Sequence, residues 1–240
     1  AQLLSEKLER QAPGALLAWN PEFLREGFAV HDTLTPDRLV FGLPPEPHTQ
    51  QASRALHEVY QHALSLDTPV VETDWATAEL VKTAANAFLA TKISFINAMS
   101  EIAEATGANV TDLADALGYD QRIGRKFLNA GVGFGGGCLP KDIRAFTARA
   151  TELGLGESVE FLEQVDQINL RQRHRVVSKI EQLLGGDVAG HKVAVLGLAF
   201  KPHSDDVRDS PALDVAQELI AAGADVVGYD PHARETAVRK

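Results

Sequence analysis

Residues 131–142 read Gly131-Val132-Gly133-Phe134-Gly135-Gly136-Gly137-Cys138-Leu139-Pro140-Lys141-Asp142, and they hold the only cysteine among 240 residues. Five glycines in seven positions let a backbone turn tightly and bring its N–H groups close to a ligand, because glycine has no Cβ. A thiol at the end of such a turn, with Lys141 and Asp142 just beyond, has the parts of a covalent site. Amide donors can hold an oxyanion, and a nearby cation favours the thiolate. Most free cysteines are small core hydrophobes. Glycine-rich turns rarely precede a core position, so the reactive reading is favoured.

The same stretch matches G-x-G-x-x-G at Gly131, Gly133 and Gly136. That fingerprint marks a dinucleotide site only between a hydrophobic strand and a helix, with an acidic residue about 20 positions on. Here the preceding residues run from Arg122 through Arg125 and Lys126 to Asn129, charged and unlike a strand. The loop is therefore not a dinucleotide fingerprint. A basic cluster is most often a solvated face, but this one leads straight into the amide-rich turn.

Upstream, a long helix is predicted from Thr73 to about Thr106, with Asp74 as N-cap and Gly107 as its stop. Between Leu80 and Ser100 only Lys82 and Lys92 carry charge. A helix that is apolar all round is expected to be buried, as a central element or in a subunit interface. Lys82 and Asn86 are four apart and so neighbours on one face. Lys82 in such a helix either has an anionic partner or snorkels to solvent, and the two readings are even. For Lys92 snorkelling is preferred.

The first seventy residues alternate helix and strand signals. Ala1–Gln11 and Pro47–Leu66 are predicted helices, and Ala15–Trp19, Arg38–Gly42 and Pro69–Glu72 predicted strands. Such alternation points to a parallel sheet flanked by helices. Asn20–Gly27, with Glu22 and Glu26 four apart, follows the first strand, where open α/β sheets bind ligands. On its residues alone it reads best as a solvated helical turn. Downstream, helices are predicted over Val110–Leu117, from beyond Asp142 through Thr147–Leu153, and over Ser158–Leu184. A second βαβ unit follows: a strand at His191–Leu198, a helix at Pro211–Ala222 capped by Ser210, and a strand at Asp225–Tyr229. Lys201, His203 and Arg208 precede that helix N-terminus, a place that attracts phosphate.

Hydrophobic residues make up 45% and charged residues 23%, ordinary for a globular chain. A net charge of −10 argues against nucleic acid or an anionic membrane as partner. A single cysteine excludes an internal disulfide and fits a reducing cytoplasm. The start of the chain is not a signal peptide, and no apolar run is long enough to span a bilayer. These features suggest a soluble, cytoplasmic protein. The eight histidines show no metal spacing, and no metal is expected.

Four stretches together resemble the UDP-glucose 6-dehydrogenase family, part of a wider group of nucleotide-sugar dehydrogenases that includes GDP-mannose dehydrogenase. They are Asn20–Gly27, Glu79-Leu-Val-Lys82-Thr-Ala-Ala-Asn86, Gly131–Asp142, and Gly197-Leu-Ala-Phe-Lys201 with Arg208-Asp-Ser-Pro. The resemblance implies an α/β fold with an all-helical centre. A partial Rossmann-like sheet (1–73) would precede a central helical domain (74–185) with a long dimerisation helix. The start of a second Rossmann-like, UDP-sugar-binding sheet (186–240) would follow.

It also implies oxidation of the sugar C6 alcohol to a carboxylate with two molecules of NAD, through a thiohemiacetal and a thioester on Cys138. Lys82 and Asn86 would stabilise the oxyanion, Asp142 would handle protons, and Glu26 would act in acid–base or water-positioning roles. Glu22, Phe23, Leu24, Lys82, Asn86, Phe134, Gly135 and Lys201 would bind the substrate, with Arg122 reaching it from a partner subunit. Glu26, Lys141 and Arg208 would lie at the cofactor. UDP-glucose and a second copy of the chain are the partners implied. Relative to the family pattern the chain lacks the opening glycine fingerprint and the end of the last domain, so it is expected not to turn over alone. The alternatives are another nucleotide sugar such as GDP-mannose, or a non-catalytic dimerisation or ligand-binding module. A cysteine hydrolase would need a histidine base, for which no pattern is present.

Overall fold

Leu39–Leu43 is a run of five apolar or glycine residues, and it forms β1 with every position buried. Such continuous burial is what a parallel strand covered on both faces requires. β2, Val70–Asp74, lies parallel to it, with Leu39 opposite Val70 and Leu43 opposite Asp74. The computed structural model describes residues 1–240 as two units, Ala1–Ala85 and Asn86–Lys240.

In the first unit, α1 (Gln2–Gln11) and α2 (Ala29–Leu34) precede β1, and α3 (Thr49–Val59) and α4 (Gln61–Leu64) join it to β2. Leu39, Phe41, Leu43, Ala52 and Ala63 form the core. Two sequence expectations change here. Ala15–Trp19 is no strand: Trp19 alone makes an antiparallel bridge to Gly42, with two N–H···O bonds of 2.7 Å. Pro21, two residues on, has no N–H to extend the ladder. The helix over Pro47–Leu66 is two helices, broken at Tyr60, whose ring lies 5.6 Å from that of Phe41. The short helix α2 carried no periodic signal long enough to read.

Helix α5, Trp75–Thr106, runs for 32 residues. Asp74 caps it, accepting the N–H of Thr77 at 2.8 Å and its hydroxyl at 3.0 Å. Gly107 at φ +73 ends it. Within the single chain the helix is not buried all round. Ala87, Ala90, Ser94, Ile96 and Asn97 are buried, but Phe88, Phe95 and Ile102 are 67%, 46% and 56% exposed.

The second unit continues with α6 (Val110–Gly118), α7 (Leu139–Glu152), α8 (Gly156–Leu183), β3 (Lys192–Leu196), α9 (Pro211–Ala221), β4 (Asp225–Tyr229) and α10 (Arg234–Val238). Asn109 caps α6, accepting the N–H of Thr111 at 2.9 Å. β3 and β4 are parallel, Lys192 opposite Asp225. Helix α7 begins three residues before Asp142, not after it, because Pro140 is tolerated in a first turn that needs no N–H donor. One core joins Ala87, Ala90, Phe134, Ile143 and Leu162, and another joins Val177, Val188, Val215 and Leu219. No helix is long and apolar enough to cross a membrane.

Candidate active site

The early start of α7 places Cys138 at its N-cap, with an exposed thiol that makes no capping bond. The core-hydrophobe reading of this cysteine is thereby excluded. Asp142 lies in the first turn of the same helix and its N–H bonds back to the Cys138 carbonyl at 2.9 Å. Its carboxylate accepts a hydrogen bond from Asn86 Nδ2 at 2.6 Å and faces Lys141 Nζ at 3.4 Å. Asn86 is buried and reaches this position from α5. A thiol, a carboxylate one turn on and a side-chain amide therefore share one locality.

The glycine loop is shaped by close approach. A Cβ on Gly135 would stand 2.0 Å from the Asp209 carbonyl oxygen. Gly136 has φ +85, which L side chains rarely adopt, and a Cβ there would meet the Phe200 ring at 2.7 Å. The Gly136 N–H donates to the Arg208 carbonyl at 2.8 Å. The loop thus rests against the turn that precedes α9. Phe134 and Gly135 are both buried, the Phe134 ring within the core that includes Ile143 and Leu162.

Around that turn, Ser210 is wholly buried, donates its hydroxyl to the Leu198 carbonyl at 2.7 Å and caps α9. Arg208 pairs with Asp206 through Nη2 at 2.7 Å. Lys201 Nζ lies 5.2 Å from the centre of the Phe200 ring. Asp230, at the end of β4, accepts the N–H groups of Leu198, Ala199, His232 and Ala233 at 2.8–3.1 Å. Burial pushes its carboxyl up, and the N–H groups of Ala233, Leu198, His232 and Ala199 outweigh that, holding it well below the usual carboxylate range. Asp230 therefore anchors the start of the loop that carries Lys201.

In the first unit, Lys82 has an anionic partner: Nζ lies 3.3 Å from Glu22 Oε1, and 5.4 Å from the centre of the Phe23 ring. The segment around Glu22 is not a helical turn. Glu22 Oε2 accepts the N–H of Leu24 at 2.7 Å, and Arg25 is gripped by Asp32 of α2 through its backbone N–H and its guanidinium at 2.6–2.9 Å. The Arg25 guanidinium holds the Asp32 carboxyl well below the usual carboxylate range. Glu26 and Leu24 are exposed. Sequence reading missed Arg38, whose guanidinium lies 3.9 Å over the Phe23 ring, and Asp32. An arginine fifteen residues from an aromatic gives no local signal of stacking.

Arg122 is 89% exposed and engages Asp120 with two nitrogens, Nε–Oδ1 at 3.0 Å and Nη2–Oδ2 at 2.6 Å. Its neighbour Arg125 serves the fold, donating to the Leu128 carbonyl at 3.0 Å and to Asn129 Oδ1 at 2.8 Å.

Parallel α/β pairs early and late in the chain and a helical middle define a nucleotide-binding type of α/β protein, with an exposed thiol beside a carboxylate. Comparison with known proteins gives the family. Residues 1–64 match the NAD binding domain of the UDP-glucose/GDP-mannose dehydrogenase family, residues 76–171 its central domain, and residues 194–240 its UDP binding domain. The UDP-glucose 6-dehydrogenase of Rhizobium meliloti is 46% identical over 91% of this chain and 49% of its own length. UDP-glucose 6-dehydrogenase TuaD of Bacillus subtilis is 47% identical over 88% and 44%. A solved UDP-glucose dehydrogenase from the archaeon Pyrobaculum islandicum superposes with a TM-score of 0.91 at 40% identity, covering 99% of this chain and 53% of that one. The chain belongs to the UDP-glucose/GDP-mannose dehydrogenase family. It spans about half the length of the curated relatives it matches.

Proposed function

We propose that the chain carries the central part of an NAD-dependent UDP-glucose 6-dehydrogenase that makes UDP-glucuronate by four-electron oxidation. The observation that carries this reading is Cys138, exposed at the N-cap of α7 one turn from the Asn86-bound carboxylate of Asp142. The relatives' names support the substrate. Residues 1–73, 74–185 and 186–240 would be the cofactor, central and UDP-sugar domains. A reducing cytoplasm suits a chain whose one thiol must stay free.

Lys141 and Arg208, exposed cations of the kind its phosphates require, would serve the cofactor, and the exposed carboxylate of Glu26 would share that role. Bound NAD would accept the hydride in each of the two oxidations. The sugar nucleotide would be held by Glu22, Phe23, Leu24, Phe134, Gly135 and Lys201, with Arg122 supplied by a second copy.

Loss of a hydride from C6 of the alcohol, with its hydroxyl proton taken by Asp142, gives the aldehyde, to which Cys138 Sγ adds, forming a C–S bond and a thiohemiacetal. Lys82 Nζ and Asn86 Nδ2 stabilise the oxyanion that develops on the former carbonyl oxygen. Loss of a hydride from the same carbon leaves a thioester on Cys138. Water, positioned by Glu26, attacks that carbon while Asp142 takes its proton. The C–S bond breaks, the carboxylate leaves and the thiol is restored.

The second copy would dock on the exposed face of α5. Phe88, Phe95 and Ile102 recur every seven residues, the spacing of a helix–helix seam.

The test is the stoichiometry of product and its dependence on the thiol. Within a full-length enzyme of the family that carries these residues, UDP-glucose with NAD should give two NADH per UDP-glucuronate, and Cys138→Ala should give no UDP-glucuronate. Full conversion by Cys138→Ala would defeat the proposal, and a preference for GDP-mannose would replace the substrate.

A further inference from the structure

Four residues before Cys138, both backbone polar groups of Phe134 are held from α8. The Phe134 N–H donates to Asn169 Oδ1 at 2.6 Å, and Asn169 Nδ2 donates to the Phe134 carbonyl at 3.0 Å. One turn along α8, Arg173 Nη2 donates to the same carbonyl at 2.9 Å. Asn169 is wholly buried and Arg173 is 2% exposed. A side-chain amide that uses its donor and its acceptor on the backbone groups of one residue takes the place of a neighbouring strand.

A buried guanidinium is costly unless it is paired. Arg173 Nη1 reaches Asp209 Oδ1 at 2.8 Å and also Asp214 Oδ2 in the first turn of α9. Asp209 itself sits at φ +48, uncommon for a residue with a side chain. It adjoins Arg208, whose carbonyl accepts the Gly136 N–H. One buried cation therefore joins three segments: the glycine loop, the turn at Arg208–Ser210, and the start of α9. Gly133 is fitted to this arrangement, since a Cβ there would stand 2.3 Å from Asn169 Oδ1.

We infer that Asn169 and Arg173 are positioning residues for Cys138. They lock the glycine loop through the Phe134 backbone and bind it to the Asp209 turn, so that the thiol-bearing and Arg208-bearing segments keep one mutual geometry. The purpose of the lock rests on the proposed chemistry of Cys138, whereas the lock itself does not.

The test compares the chain with Asn169→Ala, Arg173→Met and Arg173→Lys by amide hydrogen exchange and by the rate of Cys138 alkylation with iodoacetamide at one pH. In Asn169→Ala the amides of Phe134 and Gly136 should exchange about tenfold faster, the scale of one lost buried hydrogen bond. Amides in α5 and α9 should keep their protection. Alkylation should slow by roughly threefold or more as the thiol leaves its place at the helix N-terminus. Arg173→Lys should fall between the parent and Arg173→Met; if Arg173→Met does not fold, the other two variants decide. Unchanged exchange in the loop, equal loss of protection in α5, α8 and α9, or an unchanged alkylation rate would overturn the inference. None of these readouts requires turnover, so their failure is separate from failure of the proposed activity.

Discussion

Asn86 Nδ2 and Asp142 Oδ2 stand 2.6 Å apart across 56 residues of sequence, joining α5 to the first turn of α7. The bond fixes a carboxylate one helical turn from the Cys138 thiol. Asp142→Asn preserves the shape and can keep the contact with Asn86, but it removes a proton acceptor. In a full-length enzyme of the family that carries these residues, the turnover number for UDP-glucose should fall about 10²–10⁴-fold, with the thermal unfolding midpoint little changed. Steady-state kinetics beside a melting curve checks both parts.

Two glycines of the same loop should differ sharply on substitution by alanine. At Gly135 the new methyl would meet the Asp209 carbonyl, and at Gly131 it would meet nothing within 4 Å. Gly135→Ala should destabilise the chain by about 2 kcal/mol or more, or displace the loop, through overpacking against backbone. Gly131→Ala should be neutral to within about 0.5 kcal/mol. Urea titration of the two variants measures the contrast.

Removing the Asp230 carboxylate orphans four backbone donors at once. Asp230→Ala should cost about 2–4 kcal/mol, given the usual penalty for hydrogen bonds to a charged group lost without replacement. Exchange should rise first at Leu198 and Ala199, which begin the loop leading to Lys201.

Stability should also depend on acid in a defined direction. Asp32, through Arg25, and Asp230, through its N–H donors, have folded values below the unfolded carboxylate value of about 4. Between the folded and unfolded values the unfolded chain binds more protons, so stability rises with pH there. Their contribution is complete above about pH 5 and is lost progressively as pH falls below about 4. Urea midpoints at a series of pH values should fall on the acid side, and Asp230→Ala should flatten that fall.

The exposed α5 face predicts a change in association. Phe88→Asp or Phe95→Asp puts a charge into the proposed seam while leaving the buried side of the helix, Ala87, Ala90 and Ile96, untouched. Sedimentation should show a dimer for the parent chain and a monomer for either variant, with unchanged helicity. A parent monomer would remove the proposed seam.

Long elements with clear caps are legible in the amino-acid sequence itself. α5 between Asp74 and Gly107, α9 behind Ser210-Pro211, and β4 at Asp225–Tyr229 are local features with local chemistry. The Gly131–Asp142 stretch is legible for the same reason, since turn, thiol and carboxylate are consecutive. The features that escape such a reading are non-local. The failure of Ala15–Trp19 as a strand depends on which residue Pro21 would have to pair with. The break at Tyr60 lies beside Phe41, distant in sequence, and the stacking of Arg38 on Phe23 crosses fifteen residues. Asn169 and Arg173 look like ordinary polar positions on a long helix, because their partners lie 35 and more residues away.

The central claim is that Cys138 is the nucleophile of a UDP-glucose site, and the most direct measurement is the rate of Cys138 alkylation by iodoacetamide as UDP-glucose is titrated in. The account predicts saturable protection by UDP-glucose, weaker protection by GDP-mannose, and loss of protection in Lys82→Ala. A thiol alkylated at the same rate with and without saturating UDP-glucose would contradict it.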